Sequence, residues 1–202
     1  SSADLKKFDR TIVWIKPRGF IIIDAVALNA AHVASVIFHS DFDYKLDENK
    51  KYWIMNDGRP IAKFIRLWPE NPSVEIKKHT ETLKHEQGPK GEFMTISQPL
   101  NSAGYFINAV VTDALPVSTH FSMEPGRYFI ELDRDEKKYK IIYNDTNTET
   151  VYDGYSTDAK ITVFISEDTK KTKVAIFSAT YFKHGPAALW KSTEKANGEV
   201  KI

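Results

Sequence analysis

The chain of 202 residues contains no cysteine, which excludes disulfides, thiolate metal ligands and thiol nucleophiles while leaving the compartment open. It has no surplus of either charge. Lys and Arg total 28 against 27 Asp and Glu, a net charge of +1, so no broad field exists to hold a phosphate backbone or an anionic membrane, and neither nucleic acid nor membrane is expected as a partner. Long hydrophobic runs are missing too: stretches such as residues 20–23 fall far short of the ~20 residues that a spanning helix needs. There is no G-x-S-x-G elbow to present a serine and no H-E-x-x-H pair to hold zinc, and no cofactor is expected. The start, Ser1-Ser2-Ala3-Asp4, has neither an initiating methionine nor a signal-peptide core, so the chain is expected to be a piece of something longer.

What is present is one strand pattern after another, with 42% hydrophobic residues to build a core. Residues 11–15 and 20–26 flank Lys16-Pro17-Arg18-Gly19, where proline pre-sets φ and glycine tolerates positive φ, which predicts a hairpin. Residues 32–39 follow an alanine pair, yet Val33, Val36, Ile37 and Phe38 favour a strand. Residues 51–55 and 62–67 flank Asn56-Asp57-Gly58-Arg59-Pro60, the strongest hairpin signal in the chain, and Trp68-Pro69 then ends the ladder because proline cannot donate to it. Strands at 74–78 and 93–97 enclose a polar loop, 86–91, expected to be exposed and mobile. Residues 105–111 are almost continuously apolar, the pattern of a central strand buried on both faces. Beyond Pro116 the predicted strands shorten (127–132, 139–143, 150–152, 160–166 and 174–182), with charged tips at 133–138 and 167–173. Residues 186–191 predict one helical turn, and 192–202 a frayed tail. The expected fold is all-β, an antiparallel β-sandwich. It is read either as two stacked layers or sub-domains, a larger 1–115 and a smaller 116–202, or as one continuous sandwich. A long exposed sheet edge could support dimerisation, but periodicity does not say which strand is the edge.

Candidate sites are weighed by spacing. His32 and His39 lie an odd number of residues apart on one strand, hence on opposite faces, and cannot share a metal without a bulge. Asp24 and His32 could meet across strands, but they make two ligands where zinc takes at least three; the plainer expectation is a strand-end aspartate capping a turn beside a half-buried histidine. His79 and His85 sit in a lysine-rich, solvated stretch, so no metal is expected. The carboxylate pairs Asp41/Asp43, Asp47/Glu48 and Asp133/Asp135 fall in polar tips, where neither pKa would be pushed far enough for acid–base work. No catalytic residue is therefore expected. Aromatics are the remaining signal. Trp53, Trp68 and Trp190 stand beside turns, where an indole can stack on the apolar face of a sugar while arginine pairs with a uronate carboxylate. Trp53, Arg59, Arg66 and Trp68 are the candidate substrate-binding residues; the plainer role for such tryptophans is to close a core.

The passage Arg10-Thr11-Ile12-Val13-Trp14-Ile15-Lys16-Pro17-Arg18-Gly19-Phe20-Ile21-Ile22-Ile23-Asp24-Ala25-Val26, followed by a strand ending in Ile37-Phe38-His39, resembles the heparinase II/III-like polysaccharide lyases. Gly104-Tyr105-Phe106-Ile107-Asn108-Ala109-Val110-Val111 is similar to an apolar strand farther on in that family. The resemblance covers about the first half of the chain and consists of an arginine, strand, turn and strand ending in Asp. It implies the C-terminal β-sandwich portion of a larger bacterial enzyme, periplasmic or extracellular, that cleaves uronate-containing polysaccharides by β-elimination. In such lyases the catalytic tyrosine and asparagine belong to an N-terminal α-helical toroid, and the metal-binding histidines to sheet segments upstream. The resemblance therefore assigns no catalytic residue to this chain, and His39 matches a position that is often histidine without a role attached. The implied partners are an acidic polysaccharide and an N-terminal α-helical catalytic domain. The alternative of another class is an independent carbohydrate-binding or surface-adhesion module.

Overall fold

A computed structural model describes residues 4–16, 19–46, 52–56, 58–78, 91–112, 118–134, 136–146, 148–167 and 171–202. The protein is all-β: the described residues contain no helix, and neighbouring strands pair antiparallel. The chain forms two compact units, 1–114 and 115–202.

In the first unit, β1 (Leu5–Ile15) and β2 (Gly19–Leu28) form the expected hairpin. β2 pairs with β9 (Ala103–Thr112), β9 with β6 (Arg59–Trp68), and the sheet ends through β5 (Tyr52–Asn56) at β4 (Asp43–Leu46), giving six strands in the order β1-β2-β9-β6-β5-β4. A second sheet of three strands, β3 (His32–Ser40), β8 (Glu92–Leu100) and β7 (Ser73–Lys78), carries the other half of the core. Strand alternation explains how the layers meet. On β3, Ala34, Val36 and Phe38 are buried while Val33, Ser35 and Ile37 between them are exposed. Those buried residues, with Met94, Ile96 and Leu100, pack against Ile22, Val26, Phe64, Phe106 and Val110 of the six-stranded sheet, and Phe38 meets Phe64 edge-on at 4.8 Å between ring centroids. Each such side chain stabilises by about 1.5–3 kcal/mol relative to leaving it in water. The near-continuous apolar stretch behaves as expected: β9 lies between β2 and β6, and its residues 106–111 are all buried. The Asp-Gly hairpin also forms, with Gly58 at φ 76°.

In the second unit, β10 (Ser118–Glu124), β11 (Arg127–Arg134), β12 (Lys137–Asn144) and β15 (Ile161–Glu167) run as a meander onto the long strand β16 (Lys171–His184). The far half of β16 pairs with β14 (Tyr155–Thr157), and β14 with β13 (Thr150–Tyr152). Between its halves β16 slips register at Ile176/Ala179, and Ser178 takes φ 56°. The enclosed core holds Ile142, Phe164, Ile176 and Phe182, with Phe129, Tyr152, Tyr155 and Trp190 packed against it.

Two expectations are overturned here. The helical turn at 186–191 does not form: Gly185 at φ 52° and Pro186 make a turn, and residues 187–201 continue as strand β17 (Ala187–Lys201) along β16. Nor is the end frayed, because Ile202 and Thr172 exchange backbone hydrogen bonds of 2.9 and 3.1 Å. Alanine's helix propensity gave way to a long antiparallel ladder with β16. The polar loop at 86–91 lies outside the described residues except for Gly91, as do His79, His85, Asp47, Glu48 and Asp135.

Candidate functional site

The inner face of the six-stranded sheet can be read as rows across its strands. One row runs Arg10–Asp24–Phe106, the next Ile12–Ile22–Asn108–Arg66, and a third Trp14–Phe20–Val110–Phe64–Tyr52. In the first row Arg10 donates from Nε (2.6 Å) and from an η-nitrogen (2.9 Å) to the two oxygens of Asp24, whose side chain is 0% exposed. The bond to Asp24 raises the Arg10 pKa further, against the opposing effect of burial. The guanidinium also lies 5.5 Å from the Phe38 ring centroid and 5.7 Å from that of Phe8. Asp24 thus stands in mid-strand as the buried half of an ion pair, where a strand-end turn cap was expected. His32 is exposed where it was expected half-buried, with Nε2 3.8 Å from an oxygen of Asp4, and Asp24 is bound by Arg10 instead.

Of the substrate-binding candidates, Arg66 and Trp68 stand near one end of β6, both partly exposed, but a register slip between them sets Arg66 opposite Asn108 and Trp68 opposite Ile107, hence on opposite faces of the sheet; Arg66 donates to the Glu70 carbonyl at 3.1 Å. Arg59 is exposed at the strand's other end, seven residues from Arg66 and nine from Trp68, roughly 23 and 30 Å away at ~3.3 Å per residue. Trp53 has Lys45 and Lys63 as its cross-strand neighbours, and its side chain lies outside the described residues. Trp190 packs against the second core, where a Cβ on Gly198 would come within 2.5 Å of its indole nitrogen. His39 is exposed, with its ring 5.9 Å from that of Phe93. Among the described residues no group of three His, Asp or Glu could hold a metal.

In the second unit a polar cluster clamps the bend in β16. Asp158 accepts hydrogen bonds from the Thr180 backbone (2.7 Å), the Thr180 hydroxyl (2.7 Å), the Tyr181 backbone (3.3 Å) and Lys195 Nζ (2.9 Å). Burial pushes its carboxyl up, but these bonds outweigh burial and hold it at about 2. Tyr181 donates to Glu149, and burial followed by that acidic partner raises its pKa. Burial and then Glu92 push Tyr44 up to about 12, and Lys140 is raised by its bond to the Tyr152 hydroxyl. Among the described residues, the shifts of Arg10, Tyr44, Lys140, Asp158 and Tyr181 all move away from neutrality, opposite to what general acid–base catalysis asks of its groups.

Sequence reasoning missed two features. The Asp158 cluster draws on residues 149, 158, 180, 181 and 195, with no local spacing to betray it. The other is a stripe of exposed apolar side chains on β1: Phe8 is 45% exposed, Ile12 60% and Trp14 66%. The signal for it, large apolar residues at even positions alternating with Asp9 and Thr11, was masked by the β-branched residues between them. No family model matches the chain, and no curated protein matches it.

Proposed function

We propose that this chain is a non-catalytic β-sandwich domain of a larger heparinase II/III-like polysaccharide lyase, supporting the catalytic α-helical toroid or lining the groove for a uronate-containing polysaccharide. The observation that carries the reading is the Arg10–Asp24 pair. These are the arginine and aspartate on which the resemblance rests, and each is committed to the other as a buried strut between β1 and β2. A carboxylate so enclosed is out of reach of a substrate proton, and an arginine held in a two-bond fork serves the sheet. The shifts of Asp158, Tyr181, Tyr44 and Lys140 add that these groups are held in one protonation state near neutral pH.

A second reading, an independent carbohydrate-binding module, is supported by the partial exposure of Trp68 and Arg66 near one end of β6, each on its own face of the sheet. One pair of experiments separates the readings. The purified chain is mixed with heparan sulfate, alginate or hyaluronan, and the ultraviolet absorbance of unsaturated uronate is followed. No rise is expected; a rise with any polymer would place elimination chemistry within these residues and overturn the proposal. In parallel, binding of each polymer is measured by calorimetry. Binding by the isolated chain that disappears in Trp68→Ala, with the circular dichroism unchanged, would favour the module.

A further inference from the structure

We propose that β1 is a self-association strand: two copies of this chain pair β1 to β1, antiparallel, about a two-fold axis through Thr11, so that their two six-stranded sheets become one continuous sheet. β1 ends its sheet, and no described strand pairs with its outer side. It is long and free of proline, and its register with β2 is regular from Lys7 to Ile15, interrupted only between Leu5 and Lys7. A long, apolar, regular edge is the kind of strand that recruits another.

The occupant follows from the strand itself. The regular stretch 7–15 is bounded by the register shift on one side and the turn on the other, and its midpoint is Thr11. Full-length antiparallel self-pairing therefore sets Thr11 opposite Thr11, Arg10 opposite Ile12, Asp9 opposite Val13, Phe8 opposite Trp14 and Lys7 opposite Ile15. No two like charges face each other, and the Thr–Thr and aromatic pairs are of the kinds that stabilise neighbouring strands. Arg10 brings its own counter-ion in Asp24. Because a two-fold axis perpendicular to the sheet keeps each residue on its own face, Phe8, Ile12 and Trp14 of both copies form one shared apolar stripe in place of two exposed ones.

A cleft beside Phe8 gives Trp14 somewhere to go. Leu5, Phe8, Val26, Leu28 and Val33 line an open cleft of about 220 Å³ with Asp4 and His32 at its rim. A cavity of about 150 Å³ suffices for a benzene ring, so the partner's Trp14, brought opposite Phe8 by this register, is of a size to fill it. The net charge of +1 gives two copies little reason to repel.

The test is sedimentation velocity over a concentration series with the wild-type chain, Trp14→Ala, and Val151→Ala as a control at another exposed apolar residue, each checked for fold by circular dichroism. Because the chain has no cysteine, Thr11→Cys and Asp9→Cys variants can be oxidised as reporters of register. The expected result is a concentration-dependent dimer that weakens more than about tenfold in Trp14→Ala. It is unchanged in Val151→Ala, and Thr11→Cys forms a covalent dimer where Asp9→Cys does not. A chain that stays monomeric throughout, a dimer indifferent to Trp14→Ala, or crosslinking through the position-9 variant in preference to position 11 would overturn the proposal.

Discussion

Asp24 and Asn108 are both buried polar side chains on the inner face of the six-stranded sheet, and they differ in what surrounds them. Asp24 has Arg10 across the ladder, whereas neither amide atom of Asn108 has a hydrogen-bond partner among the described residues. The physical costs run in opposite directions. Removing Arg10 leaves a fully buried carboxylate unpaired, while removing the Asn108 amide relieves a desolvated group that gains nothing in return. Arg10→Ala is expected to destabilise the chain by about 3 kcal/mol, the lower end for a broken buried pair because water already reaches the arginine. Asn108→Leu, with the same branched skeleton and no polar atom, is expected to be neutral or stabilising by about 1 kcal/mol. Urea unfolding of both variants reads the contrast directly. Equal destabilisation by the two substitutions would mean that the amide of Asn108 is satisfied and that its burial is no liability.

At the scale of the element, β16 shows how a long strand is made to serve two neighbours. Its near half pairs with β15 and its far half with β14, and the register slip around Ser178 turns it from one to the other. At the bend the backbone N–H groups of Thr180 and Tyr181 both donate to Asp158, and Lys195 of β17 closes the clamp. The carboxyl is held at about 2, below its usual 3.8, so its contribution is present above about pH 4 and is lost as pH falls from there through 2. The shift corresponds to at most about 2 kcal/mol. Asp158→Asn should therefore lower the unfolding midpoint near neutral pH, and the gap from wild type should narrow below about pH 3. A gap that stays constant on acidification would show that the carboxylate's charge contributes nothing at the bend. Local signals revealed the hairpins and little of this bend. Asp57-Gly58 and Lys16-Pro17-Arg18-Gly19 carry their turns in their own chemistry, and the apolar run in β9 carries its burial. β17 was misread because alanine favours a helix in isolation and only the long pairing with β16 makes it a strand. Exposure along β1 was hidden for a related reason: an apolar residue on an edge strand reads the same as one in a core until the reach of the facing sheet is known. Spacing along β6 does not reveal that Arg66 and Trp68 face opposite sides, because the register slip between them is set by the pairing with β9, nor that Arg59 stands far from both, because residues close in sequence on an extended strand are distant in space.

The whole molecule carries almost no net charge, and that decides how it could hold an acidic polymer. With a net charge of +1 there is no long-range attraction to collect a polyanion, so any affinity must come from contacts made one at a time. The proposed arginine contacts lie well apart along β6, Arg66 and Arg59 being seven residues and so roughly 23 Å from each other. A disaccharide is too short to touch both, whereas a long chain can span them. Arg66→Ala is expected to weaken binding of heparan-sulfate fragments of any length. Arg59→Ala should weaken only the long ones, and the slope of log affinity against log salt should stay near one ionic contact for short fragments and about two for long. Titration calorimetry of each variant with a disaccharide and with a long fragment, at two salt concentrations, measures all four quantities. Loss of disaccharide binding in Arg59→Ala equal to that in Arg66→Ala would require the two arginines to act on one sugar, which the length of β6 forbids, and would move the binding surface away from this strand altogether.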